Sequence, residues 1–191
     1  MTRPLFSAVC LSLFAGSIAV LGACGNGSDE KGKPVATAGN SVIPASYFAS
    51  ERPAGSVMLT DVKANAKVGD QVIVEARVGG RAEPFVDGIA MFIAADPRLV
   101  SCDQKGDYCT VPHDYCCENP DAMKAGTATI QMVDTDGNPF PVRAEGQGGI
   151  QPLKTVVITG VISEKDEGGT LVIDGTNMWV GTIPAAPPGA S

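Results

Sequence analysis

Val68-Gly69-Asp70-Gln71-Val72-Ile73-Val74-Glu75-Ala76-Arg77-Val78 opens on a turn and runs into a segment with a two-residue period. Val72, Val74, Ala76 and Val78 share one face, with Gln71, Glu75 and Arg77 on the other and Ile73 as the exception. Successive side chains of a strand point to opposite faces, so the pattern predicts a strand with one face in a core and one toward water. Gly79-Gly80 ends it. Outward from there, Gly88 to Ala95 is continuously apolar and predicts a strand covered on both faces, stopped by Asp96-Pro97. Thr127 to Val133 alternates again, with Ala128, Ile130 and Met132 inward. Thr155 to Ile162 and Thr170 to Val180 are the last strands, joined by the acidic turn Glu164 to Gly169. Thr60-Asp61 predicts a cap for a short helical turn through Ala66. Asn119-Pro120 predicts another, closed by Gly126. Pro139 to Leu153 is too rich in Gly and Pro for a long helix.

Five strands, a long break before the fourth and no sustained helical period predict an all-β chain closed into a small barrel. A five- to seven-stranded sandwich is the competing arrangement of the same strands. The order and spacing resemble an OB-fold (oligonucleotide/oligosaccharide-binding barrel). Val68–Val78, then Val156–Ser163 and Thr170–Val180, look like its first strand and its last two. The resemblance covers about residues 61–180 and implies a five-stranded OB-like closed barrel with Val72, Val74, Ile130 and Val157 inside. The chain departs from that pattern between strands 2 and 3, where a short hairpin is replaced by an insertion holding Cys102 to Glu118. Membrane-anchored OB-folds of the cell envelope include the haem chaperone of cytochrome c maturation, which carries haem on a histidine near its last strand. Here no histidine follows Gly160, so that resemblance is to the scaffold alone.

The amino end reads as a targeting signal. Arg3 precedes an apolar run from Leu5 to Leu21, too short and wrongly flanked for a membrane span. Leu21-Gly22-Ala23-Cys24 resembles a bacterial lipobox. The resemblance implies cleavage before Cys24 (a signal peptide over 1–23) and two or three acyl chains, palmitate among them, on that residue. Several chains anchor firmly where one gives marginal residence. Gly25, where an Asp would favour retention at the inner membrane, favours the outer membrane, facing the periplasm, in a diderm organism. Residues 24–55 predict a flexible Gly/Ser/Asn/Lys-rich tether, 56–182 the folded domain and 183–191 a frayed tail.

The chain carries 14 basic and 21 acidic side chains for a net charge of −7, and loss of Arg3 leaves 13 against 21, or −8. Aromatic residues make up 5% of it. An acidic surface with few stacking platforms argues against nucleic acid as a partner.

Of six cysteines, Cys10 leaves with the signal and Cys24 takes lipid, so Cys102, Cys109, Cys116 and Cys117 remain. An even number in an oxidising compartment predicts two disulfides. Adjacent Cα atoms lie about 3.8 Å apart, below the usual disulfide range, which disfavours a Cys116–Cys117 bridge. Two pairings stay open: Cys102–Cys117 with Cys109–Cys116, or Cys102–Cys116 with Cys109–Cys117. Closing a loop of about 15 residues stabilises by about 3 kcal/mol in the chain-entropy picture. The alternative is metal: four thiolates with His113, the single histidine, suit zinc or copper, although no C-x₂-C knuckle is present. One histidine supports neither a Ser/His/Asp triad nor a multi-histidine site, so the sequence predicts no catalytic activity and no catalytic residue. Asp103, Asp107, Asp114, Glu118 and Asp121 read as a solvated acidic face. Asp134-Thr135-Asp136-Gly137-Asn138 lacks the Glu of a calcium loop, and Gly146 to Gly149 lacks the Lys of a phosphate loop, so both read as turns.

The resulting expectation is a lipid-anchored cell-envelope binding module for a protein, peptide or glycan. Its rim would be formed by the loops 79–87 and 163–169 with the insertion. The alternative is a metal-binding or metallochaperone lipoprotein.

Overall fold

The computed structural model describes residues 42–105 and 109–184. The expected lipobox with Cys24, the tether as far as 41, Asp107 and most of the tail lie outside the described residues. The chain is mostly β: β1 (Val57–Met58), α1 (Leu59–Asn65), β2 (Gln71–Val78), β3 (Met91–Ala95), α2 (Cys102–Lys105), α3 (Pro120–Gly126), β4 (Thr127–Met132), β5 (Thr155–Lys165) and β6 (Leu171–Val180). Short 3-10 turns occupy Ala45–Tyr47 and Gln147–Gly149. Among the described residues no helix is long and apolar enough to cross a membrane.

The six strands form one mixed sheet in the order β1-β2-β3-β4-β6-β5. β2 also pairs antiparallel with β5 over Gln71–Arg77, so the pairings run in a ring from β2 through β3, β4, β6 and β5 back to β2. β4 and β6 run parallel, and the two-residue β1, which the sequence does not signal, lies parallel to β2. β5 shifts register against β6 at Thr159/Gly160. A Cβ at Gly160 would lie 2.3 Å from the Asp174 carbonyl oxygen, so this irregularity requires glycine.

The alternation of β2 sends Val74, Ala76 and Val78 into the core, where they meet Phe92, Ile130, Ile158 and Ile173 from the other strands. Ala128, Ile130 and Met132 point inward as their spacing predicts. Val157 does not. It is buried but faces out of the core, because Val156 and Ile158 take the inward positions, and its register partners are Glu75 and Trp179. The outer face here is covered rather than solvated. Arg52 pairs with Glu75 and sets its guanidinium 5.7 Å from the Trp179 ring centre.

The packed chain therefore begins before residue 56. Ile43 is buried, Tyr47 meets Phe140 edge-on at 4.9 Å, and Phe48 bridges to Met178. The first helix also starts earlier than Thr60-Asp61 predicts, with Met58 at the N-cap position and no side chain of its own as cap. Asp96, from beyond β3, accepts the Thr60 N–H at 2.8 Å in its place. α3 begins as its sequence dictates: Asn119 Oδ1 accepts from the Asp121 and Ala122 amides, with Pro120 in the first turn.

Candidate functional site

Two features stand on the end of the ring where β2 leaves it: the cysteine insertion and a polar cleft beside it. The insertion is held by a buried arginine. Arg77, on the nominally outward face of β2, is 1% exposed. Its guanidinium donates to Ser101 Oγ at 2.6 Å, to Asp103 Oδ2 at 2.7 Å and to the Leu153 carbonyl at 3.2 Å. Leu153 holds a left-handed backbone (φ 69°) as it presents that carbonyl. Ser101 also donates to Asp103, so both ends of the guanidinium fork are satisfied. Tyr115 is buried, its hydroxyl has no hydrogen-bond partner among the described residues, and burial pushes its pKa up. The chain then pairs with itself, Cys102 N–H to the Asp114 carbonyl (2.9 Å) and Asp103 N–H to the Pro112 carbonyl (3.0 Å).

The insertion touches the loop after β2 through His113. Its carbonyl accepts from the Gly80 amide at 3.1 Å, and its Nε2 lies 2.9 Å from the Ala82 carbonyl. A Cβ on Gly79 would sit 2.7 Å from the His113 oxygen, so this close approach depends on glycine. His113 is thus a docking residue, and its described ring contact is a backbone oxygen rather than a sulfur.

The four cysteines are free, and no disulfide forms among them. That differs from the two expected bridges. Cys116 Sγ stands among three other sulfurs, 3.5 Å from Cys102, 3.8 Å from Cys109 and 3.7 Å from Cys117, at none of them within the roughly 2.05 Å of an S–S bond. Cys102, Cys109 and Cys116 have their sulfurs mutually within 4.8 Å, a grouping that Cys117 and His113 do not join. Cys102 is buried, Cys109 half-buried and Cys116 exposed, so the group opens to solvent on one side. The hydrogen bonds Cys116 shares with Cys102, Cys117 and Cys109 push its thiol up to about 12. Burial raises Cys102, whereas a hydrogen bond with the Val111 backbone lowers Cys109.

The expected acidic face is largely occupied. Asp103 serves Arg77, Asp114 accepts its neighbour Tyr115 N–H, and Glu118 accepts the amides of Val100 and Asn119. Asp134 likewise caps its own turn by accepting from Asp136 and Asn138.

The cleft, of about 290 Å³, is lined by Gly80 and Arg81 from the loop after β2, Ile93 of β3, Thr127–Thr129 of β4 and Gly168–Leu171 at the entrance to β6. It lies ahead of the β4–β6 pairing, whose first register pair is Thr129↔Val172. Ahead of that register, the Thr127 carbonyl is taken by Lys63 Nζ at 2.5 Å. Burial lowers the Lys63 pKa. Hydroxyls, backbone groups and one guanidinium make the lining polar, and no aromatic residue is among the described lining residues. Both expected rim loops contribute to it. That the turn before β6 lies against the start of β4 has no signal in the sequence.

No family model, no curated protein and no solved structure matches this chain.

Proposed function

We propose that this chain is a lipid-anchored, exported binding protein without catalytic activity, built on an OB-like five-stranded closed barrel that receives a protein, peptide or glycan in the Arg81–Thr129–Thr170 cleft. The cyclic pairing order, with one parallel pair between the third and fifth strands of the ring, supports the barrel reading. Leu21-Gly22-Ala23-Cys24 supports the anchor.

The observation that carries the binding role is the cleft's position. It opens where the loop after β2 and the turn before β6 converge on the face of β3 and β4. OB barrels bind their ligands on this face and between these loops. The described lining residues offer no stacking platform, and the net charge of −7 repels phosphate, which together speak against a nucleic-acid ligand.

Photo-crosslinking residues placed in the full chain at Arg81 and Thr129, and at Thr176 on another surface, test this in cells. Adducts of one discrete partner from the first two positions, and none from Thr176, are expected. Equal labelling from all three positions would remove the cleft from consideration.

A further inference from the structure

We propose that Cys102, Cys109 and Cys116 together bind one thiophilic d¹⁰ cation, Zn(II) or Cu(I), through three thiolates. This stands independently of the cleft. Zinc–thiolate bonds are about 2.3 Å long, so sulfurs at the corners of a tetrahedron around the ion lie about 3.8 Å apart, and those of a trigonal Cu(I) site only slightly more. The Cys116 sulfur already stands 3.5 and 3.8 Å from those of Cys102 and Cys109. All three lie within 4.8 Å of one another. One ion at their centre reaches each sulfur by shifts of a few tenths of an ångström. A disulfide needs one pair to close to about 2.05 Å and abandons the third sulfur.

The frame around the sulfurs is fixed from behind. Cys102 is buried, and its amide is tied to Asp114. Its neighbours Ser101 and Asp103 are clamped by the buried Arg77. A ligand shell positioned by such partners loses less freedom on binding. Exposed Cys116 leaves a path for the ion and for a fourth ligand. Cys117 is adjacent in sequence and outside the group, which assigns it no role as a ligand. On binding, each thiol gives up its proton to solvent as its sulfur takes the metal. Three protons leave per ion, and no change of oxidation state is involved.

The test uses the full chain purified aerobically without reductant, together with the same protein reduced, stripped and titrated anaerobically with Zn(II) alone or Cu(I) alone. Expected are one ion retained per chain through gel filtration and an X-ray absorption shell of three sulfurs at about 2.3 Å. Retention of zinc, or of copper, identifies the ion. Cys116→Ser and Cys109→Ser should each weaken binding at least 100-fold, while Cys117→Ser should change it less than threefold. Two disulfides in the aerobic protein would overturn the proposal, as would no retained ion from either titration. Equal loss from Cys117→Ser and Cys109→Ser would overturn the assignment of the triad. Cys109 is half-buried in a loop, so its variant folds even where one at buried Cys102 does not.

Discussion

Replacing Arg77 by Met removes the group that joins the insertion to the ring. Arg77 is 1% exposed and its partner carboxylate, on Asp103, is 20% exposed. Breaking a buried pair by deleting one partner costs about 3–5 kcal/mol, because the other charge stays desolvated. Water reaches Asp103 in part, which places the loss near the lower end, about 3 kcal/mol. Ser101 Oγ and the Leu153 carbonyl lose a donor in the same substitution. For a domain of this size such a loss lowers the Tm by about 10 °C. Urea denaturation followed by circular dichroism measures the loss, and the alkylation rate of Cys102, 3% exposed, reports on the insertion. Both should move: a lower midpoint and faster alkylation. Arg77→Met with Asp103→Leu should recover part of the stability, since no orphan carboxylate remains. A loss below about 1 kcal/mol with Cys102 still protected would refute the assignment of Arg77 as the anchor.

Three further outcomes follow from single residues. Burial alone would raise the Asp96 carboxyl, but hydrogen bonds from Arg98 and the Thr60 and Arg98 amides hold it at about 2 against an ordinary 3.8. Its folded pKa is depressed, so about 2 kcal/mol of stability is present above pH 4 and is lost as the pH falls toward 2. Asp96→Asn should flatten that part of the acid-unfolding curve, and an unchanged curve would contradict the linkage. Gly79→Ala puts a methyl 2.7 Å from the His113 carbonyl and should cost about 2 kcal/mol, read as faster hydrogen exchange at the Gly80 amide. Cys24→Ser should abolish palmitate labelling and release the protein from membranes, and persistent labelling would refute the lipobox reading.

The strands are legible because their signals are local: β2 and β4 show an apolar period, and β5 and β6 are apolar runs joined by a turn, each within about ten residues. Partners across the chain were not. Glu75 and Arg77 read as a wet face because the groups that cover them, Arg52 and Ser101–Asp103, lie 23 to 26 residues away. Val157 faces away from its expected side for a related reason, since an unbroken apolar run has no phase until its register with β2 and β6 is known. The α1 cap came from Asp96, 36 positions from the amide it serves. Counting cysteines gave an even number and therefore bridges. The position of Cys116 between three sulfurs depends on how the insertion folds against Arg77, which spacing alone does not encode. Loops around the cleft could be named from their glycines. The cleft depends on which strands pair, since Thr127–Thr129 and Gly168–Leu171 meet only once β4 and β6 lie side by side.

The most direct test of a binding role for the cleft is a titration of the ¹⁵N-labelled protein with the segment of the partner recovered by crosslinking. Saturable shifts confined to the amides of Gly80, Arg81, Thr127–Thr129 and Gly168–Leu171 are the predicted result. Shifts centred on the other surface, at Gln71–Ile73 and Thr159–Val161, would contradict it.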